Sequence, residues 1–166
     1  DHFVGAVKGA IYSEQVDAKI VDITHEISPF NITETAYILK NSYKSFPEGS
    51  IHIVGVDSEL STGNKHIALE LDNHFFVCPD NGIISMIASE IQPTKIVEIN
   101  IHDRVASSFP VLDVFVKVAC FIARGGNLTV IGKEIQEYKK LIEIQPKTNQ
   151  NQTQIVGGVL YIDNYG

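Results

Sequence analysis

Apolar residues recur at helical spacing from the start of the chain, with Val4, Val7, Ile11 and Tyr12 forming one stripe, so residues 1–13 read as a helix. Gly5 and Gly9 lie four apart on one side and predict close packing of that helix against a sheet. The period then changes. Residues 18–23 form a short β-rich run ending in polar residues, which predicts a buried strand with Asp22 at its tip. Asn31 followed by Glu34 is a box-like reciprocal cap, opening a helix that extends to about Phe46. Pro47-Glu48-Gly49 interrupts it, and residues 50–57 return as a strand whose last residue is Asp57. Residues 65–71 and 74–78 flank Asp72-Asn73, the pattern of an antiparallel hairpin with a tight turn.

Pro79-Asp80-Asn81-Gly82 leads into a helix through Ile83, Ile84, Met86 and Ile87, and residues 95–101 form a further strand. Residues 112–123 are an apolar helix closed by Arg124-Gly125-Gly126. The alternation of strands and helices predicts an α/β fold, a layered sandwich with a mostly parallel central sheet. Residues 133–154 are polar and end in an Asn/Gln-rich run, which reads as a linker; residues 155–166 open a strand of different character. The helix at Asp1 has no lead-in and the strand at 155–163 runs into a turn, so the pattern predicts further chain at both ends.

Composition narrows the function. Hydrophobic residues make up 44% and charged residues 20%, the balance of a chain that folds around one core. The net charge is −7 and the 13 basic residues form no run, so nucleic acid is not an expected partner. No apolar stretch approaches the ~20 residues of a membrane span and no signal-like segment opens the chain, which predicts a cytoplasmic protein without a membrane partner. Cys78 and Cys120 lie far apart in apolar runs and read as reduced core thiols. The six histidines include no HExxH pair and no Cys/His cluster, so no metal is expected; GxSxG, GxxxxGK[ST] and GxGxxG are also absent. What remains is a polar small-molecule pocket beyond the strand ends, around residues 22–25, 57–62, 79–82 and the segment before the apolar helix.

Four segments in order carry a resemblance: Asp1-His2-Phe3-Val4-Gly5-Ala6-Val7-Lys8-Gly9, Ile20-Val21-Asp22-Ile23-Thr24-His25-Glu26-Ile27, Phe46-Pro47-Glu48-Gly49-Ser50-Ile51-His52 and Pro79-Asp80-Asn81-Gly82. The series resembles the S-adenosylmethionine hydroxide adenosyltransferases, or SAM hydrolases, whose relatives include fluorinases and chlorinases. The resemblance implies an N-terminal α/β domain over 1–132 that lacks its first strand, a linker over 133–154, and the beginning of a C-terminal β-barrel over 155–166. It also implies a homotrimer that binds S-adenosylmethionine between subunits, as substrate and without a further cofactor.

Carried onto this sequence, the resemblance implies that Asp57 helps hold and orient an attacking water and is the catalytic residue. Asp1 and Asp163 match positions near the methionine end, where carboxylates suit an ammonium group. Phe30 matches an aromatic position beside the adenosyl group. Glu59, Thr62, Ser108, Phe109 and Tyr165 complete the expected substrate-binding set. Two segments depart from the family pattern. The hydrolases read PGVGTxRR after their Asp, whereas Asn64 and Lys65 stand where the arginines belong, and FHGRDVF becomes Phe109-Pro110-Val111-Leu112-Asp113-Val114-Phe115, with Pro110 in place of the catalytic His. Lys65, His66 or Arg104 are the candidates to restore a cation near Asp57. The function implied is hydrolysis of S-adenosylmethionine to adenosine and methionine, with a weakly active or inactive binding relative as the rival, and halide transfer after that.

Overall fold

In the computed structural model, residues 2–88, 90–101, 107–142, 146–163 and 165 are described. The elements in chain order are α1 (His2–Glu14), α2 (Ile32–Ser42) with a 3-10 turn at Tyr43–Ser45, β1 (Ile51–Ile53), β2 (His66–Leu71), β3 (His74–Pro79), α3 (Ile83–Ile87) and β4 (Lys95–Ile99). A π-helical turn at Val111–Phe115 runs into α4 (Val116–Ala123), followed by α5 (Leu128–Ile131), β5 (Gly132–Glu134), β6 (Lys147–Thr148) and β7 (Ile155–Val156).

Local chemistry accounts for several boundaries. The Asn31 side chain accepts from the Glu34 amide at 3.0 Å, while Glu34 reaches back to the Ser28 amide at 3.1 Å, so the first turn of α2 is capped from both sides. At the other end of the domain Gly125 takes φ 83°; its amide donates to Ile122 and that of Gly126 to Phe121, closing α4 with paired carbonyl acceptors. Asp72 and Asn73 both have positive φ, 53° and 59°, the twist that suits a two-residue hairpin, and they join β2 to β3 with Leu71 facing His74.

The five-stranded sheet has the order β1-β3-β2-β4-β5. Only β1 and β3 pair in parallel; β2 with β3, β2 with β4, and β4 with β5 are antiparallel. The sheet is therefore mixed, and the expectation of a mostly parallel one is corrected. The alternation of elements misled because the central connection is a hairpin, and a two-residue turn can join only antiparallel strands. A closed barrel does not appear at the end of the described chain, where β6 and β7 form a two-stranded pair.

Side chains leave the sheet alternately to two helical layers, so the α/β sandwich itself is as expected. Ile67, Leu69 and Leu71 of β2, with Phe76, Cys78 and Ile96, meet Ala36 and Leu39 of α2 and Ile83, Ile84 and Ile87 of α3. Ala68, Val77, Val97 and Ile99 project to the opposite face against Val114, Phe115, Val118 and Ile122. Both cysteines are buried and free, as the apolar context predicts, and burial pushes their thiols up. Lys133 and Glu134 pair with Glu98 and Val97, so the segment read as a linker begins inside the sheet.

Two local expectations fail. Residues 18–23 form no strand, and Val21 is 65% exposed; the Asp22 side chain there bonds to Lys8 of α1 rather than ending a ladder. The helix α1 buries no residue, and Gly5 and Gly9 have open space around them, so their spacing does not mark a helix–sheet contact. No helix among the described residues is long and apolar enough to cross a membrane.

On the α2 side an aromatic cluster sits at the base of the sheet. His52 Nε2 lies 3.1 Å from His74 Nδ1, and the His52 ring stacks on Phe76 at 4.9 Å, with Tyr43 edge-on to all three rings. Tyr43 donates to Asp72 at the hairpin turn, and burial together with that carboxylate pushes its hydroxyl up to about 12. Burial, with His74 beside it, lowers His52 to about 4, so the neutral ring is the native form at pH 7.

Because the unfolded chain binds a proton at His52 near pH 6.5 that the native state refuses until about pH 4, this contribution is whole above pH 6.5 and is lost as pH falls toward 4. Urea unfolding of the parent and of His52→Leu should therefore diverge over that window. The parent is expected to lose up to about 1.4 kcal/mol more per pH unit. Parallel pH profiles would remove His52 as the source.

Candidate functional site

The chain leaves β1 at Val54, whose amide still donates to Val77 at 3.0 Å, and then turns into a loop that carries Asp57. Asp57 adopts φ 51°, the left-handed region that Asp tolerates better than most residues. Its backbone is held from several sides. Four consecutive carbonyls, those of residues 56–59, each accept a hydrogen bond from a side chain. Asn81 donates to Val56 at 3.1 Å, Asn64 to Asp57 at 2.7 Å, His66 to Ser58 at 2.8 Å, and Asn64 again to Glu59 at 3.0 Å. Since a carbonyl can only accept, Nε2 of His66 carries the proton.

Each donor is placed by the hairpin. Ser61 and Asn64 exchange backbone hydrogen bonds at 3.1 and 3.3 Å, folding the loop back through Thr62 and Gly63 and returning Asn64 beside residues 57–59. His66 is the first residue of β2, fully buried, with its ring edge-on to Phe115 at 4.8 Å. Asn81 follows the end of β3, is 1% exposed, and also accepts from the Ile83 amide as α3 begins. The clamp leaves one buried atom unsatisfied: Asn64 Oδ1 has no hydrogen-bond partner among the described residues. The Asp57 carboxylate likewise has no hydrogen bond or ion pair among them.

The segment before α4 stands against this loop. A Cβ on Gly55 would lie 2.8 Å from Val111 Cγ2, so the absence of a side chain lets the loop lean on the π-helical turn. Pro110 is buried at the head of that turn. Ser107 accepts from the Phe109 amide at 3.2 Å and donates to Asp113 at 2.7 Å, and the Phe109 ring meets Phe3 of α1 edge-on at 5.0 Å. Elsewhere, Lys8 of α1 and His25 converge on Asp22, at 2.5 and 3.0 Å, and hold its carboxyl below the usual carboxylate range.

The structure thus brings Asp57, Glu59 and Asn64 into one loop, with exposed Thr62 in its turn and Phe109 and Pro110 on the adjoining segment. Ser108 is exposed, and its neighbour Ser107 makes the hydrogen bonds. Phe30, at φ 60° and 74% exposed, has no hydrogen bond or ring contact with the Asp57 loop, nor have Asp163 and Tyr165, among the described residues. The terminal segment instead places Tyr161 5.7 Å from Tyr37 of α2. Asp1 and Arg104 lie outside the described residues. Lys65 pairs with Glu98 at 3.8 Å, and the outer nitrogen of His66 serves the Ser58 carbonyl. Neither is directed to the Asp57 carboxylate by a hydrogen bond or ion pair.

The sequence pointed to residues 79–82 and to the segment before the apolar helix as segments, but did not single out Asn81, Ser107 or Val111 within them. Asn81 lies in the Pro79-Asp80-Asn81-Gly82 motif that leads into α3, and its near-total burial as a polar residue is what marks it out from its neighbours there. Cavities of about 200 Å³ beside Lys40 and Ile87, and about 90 Å³ beside Pro93 and Tyr138, include no residue of the Asp57 loop. Residues 59–63 of the loop are exposed. No group of three or more His, Cys, Asp or Glu side chains fit to hold a metal occurs among the described residues.

A family model described as SAM hydroxide adenosyltransferase N-terminal domain matches residues 1–132. The chain is 31% identical over 170 residues to a protein of Methanocaldococcus jannaschii named (R)-S-adenosyl-L-methionine hydrolase, covering 99% of this chain and 59% of the relative. It is 28% identical to a protein of the same name from Salinispora arenicola, over 100% of this chain and 65% of that one. Among solved structures, an uncharacterized conserved protein from Thermotoga maritima superposes with a TM-score of 0.88 at 30% identity, over 100% of this chain and 65% of its own. The chain therefore spans about three fifths of the curated relatives' length.

The left-handed backbone of Asp57 sets which substitutions the loop accepts. Asp57→Gly and Asp57→Asn should stay within about 0.5 kcal/mol of the parent, whereas the β-branched Asp57→Val should lose about 1–2 kcal/mol. Denaturant unfolding measures this, and an unaffected Asp57→Val would show that the loop is not held in that conformation.

Proposed function

This chain belongs to the SAM hydroxide adenosyltransferase family, and from that premise we propose that the protein hydrolyses S-adenosylmethionine to adenosine and methionine. The names of its relatives support the reaction. The observation that carries it in this chain is Asp57, a carboxylate on a backbone fixed by side-chain donors, with neither hydrogen bond nor ion pair of its own among the described residues.

A water oxygen attacks C5′ of the adenosyl group as the C5′–S bond breaks. The bonding pair passes to the sulfonium, which leaves as the neutral thioether of methionine, and the oxygen becomes the 5′-hydroxyl of adenosine. One water proton is released through Asp57 to solvent. The leaving group is intrinsically good, so the protein's share of the work is to position the water and remove competing solvent. Asp57 accepts a hydrogen bond from the water and turns a lone pair toward C5′, and no metal takes part.

Glu59, Thr62, Ser108 and Phe109 line the substrate beside Asp57 in this proposal, while Asp1, Phe30, Asp163 and Tyr165 reach it from more distant segments. The exposure of residues 59–63 supports a site completed by other parts of a trimer. A cytoplasmic location belongs to the same reading. Pro110 favours a second one: it is buried at the head of the π-helical turn and offers no side-chain donor or acceptor where the resemblance places a histidine, which suits binding without turnover.

Incubating the full-length protein with S-adenosylmethionine and following products by chromatography should give adenosine and methionine in equal amounts. Asp57→Asn, which keeps the backbone conformation, should slow this by about 10²- to 10³-fold. Tight calorimetric binding with no product above the Asp57→Asn level would reject hydrolysis in favour of binding alone.

A further inference from the structure

We infer that Asn64 is a positioning residue for the attacking water, acting through the backbone of Asp57 rather than on the substrate; this rests on the hydrolase reading above. Its amide nitrogen spans the carbonyls on both sides of Ser58, at 2.7 Å to Asp57 and 3.0 Å to Glu59. The bond to Asp57 is the shortest of the four that hold the loop. It fixes the plane of the peptide that follows Asp57, and with φ already at 51° this determines where the Asp57 side chain leaves the chain.

The side chain is not needed to close the turn. Ser61 and Asn64 already do so through reciprocal backbone hydrogen bonds. Nor is it there for its own satisfaction. Both amide hydrogens are spent on carbonyls, and Oδ1 is left buried without a partner among the described residues. The opposite orientation would set Oδ1 against two carbonyl oxygens, so the unsatisfied acceptor follows from the clamp. A buried polar atom without a partner opposes folding. It occurs here in the loop of an acidic side chain that also has no hydrogen bond or ion pair among the described residues, which is where local strain serves a site rather than the fold.

A neutral amide cannot replace the cation that the family pattern has at this position. What it supplies is direction: Ser58 is held by His66 and its two neighbours by Asn64, so the carboxylate of Asp57 is carried on three immobilised peptides. A water bound to that carboxylate inherits its orientation.

The test is a double-mutant cycle in the full-length protein, measuring adenosine formation against S-adenosylmethionine concentration below each variant's unfolding temperature. Asn64→Ala should lower kcat by about 10- to 100-fold and leave KM within about threefold. Asn64→Asp, of the same shape but with acceptors facing both carbonyls, should lose at least as much, and Asn64→Gln should recover part of the rate. In an Asp57→Asn background the effect of Asn64→Ala should shrink to less than about twofold, because the residue acts through that carboxylate. A folded Asn64→Ala with kcat within about threefold of the parent overturns the inference, as does an undiminished loss in the Asp57→Asn background. Asn64→Ser is judged by the same criteria where Asn64→Ala does not fold. An active parent matched by its Asn64 variants defeats the positioning role alone, whereas a parent that forms no adenosine defeats the hydrolase reading and the positioning role together.

Discussion

Side chains of β2 alternate between two helical layers, and all of Ile67, Ala68, Leu69 and Leu71 are fully buried. A strand buried on both faces must have both edges paired as well, since its amides and carbonyls have no access to water. The hairpin through Asp72 and Asn73 supplies one edge and β4 the other. Once that register is set, Phe76 and Cys78 are committed to the α2–α3 side and Val77 to the α4 side. The turn also offers Asp72 to Tyr43, which joins α2 to the aromatic cluster at the sheet's base.

The same hairpin governs the site. His66 opens β2, and Asn64 precedes it by two residues, while Asn81 follows the close of β3. Because β2 and β3 are antiparallel, their outer ends lie side by side, with His66 opposite Pro79. Donors from both strands therefore reach one loop, and the carbonyls of residues 56–59 find partners without any ladder. This solves a backbone problem for a segment that has left β1 and cannot pair as a strand. It also immobilises Asp57 while leaving its carboxylate without a hydrogen bond or ion pair among the described residues.

Rigidity at this position changes what the departures from the family pattern mean. Asn64 does not mimic an arginine; it donates to the backbone, and Lys65 beside it pairs with Glu98 on β4. Pro110 starts the π-helical turn that packs near Gly55, so its contribution is the shape of the wall. Both departures thus act on the backbone and packing of the loop: Asn64 through the carbonyls it holds, Pro110 through the turn that stands near Gly55.

The features that sequence alone determined are those made by neighbouring residues. Asn31 caps Glu34, Gly125 ends α4, Asp72-Asn73 closes the hairpin, and the ordered motifs from Asp1 to Gly82 mark the family, because each depends on short-range hydrogen bonds or on residues read in order. Beyond that hairpin, strand polarity was not legible, since β1 runs parallel to β3 by pairing with it directly, although β2 separates them in sequence. Residues 18–23 looked like a strand by composition, but an extended run becomes a strand only when a partner edge is present, and Val21 stayed exposed. Asp57 was legible as an acid following a strand; the left-handed backbone and the donors that hold it were not. Those hydrogen bonds reach as far as from Asn81 to Val56, and only the folding of β2 against β3 brings such residues within 3.1 Å.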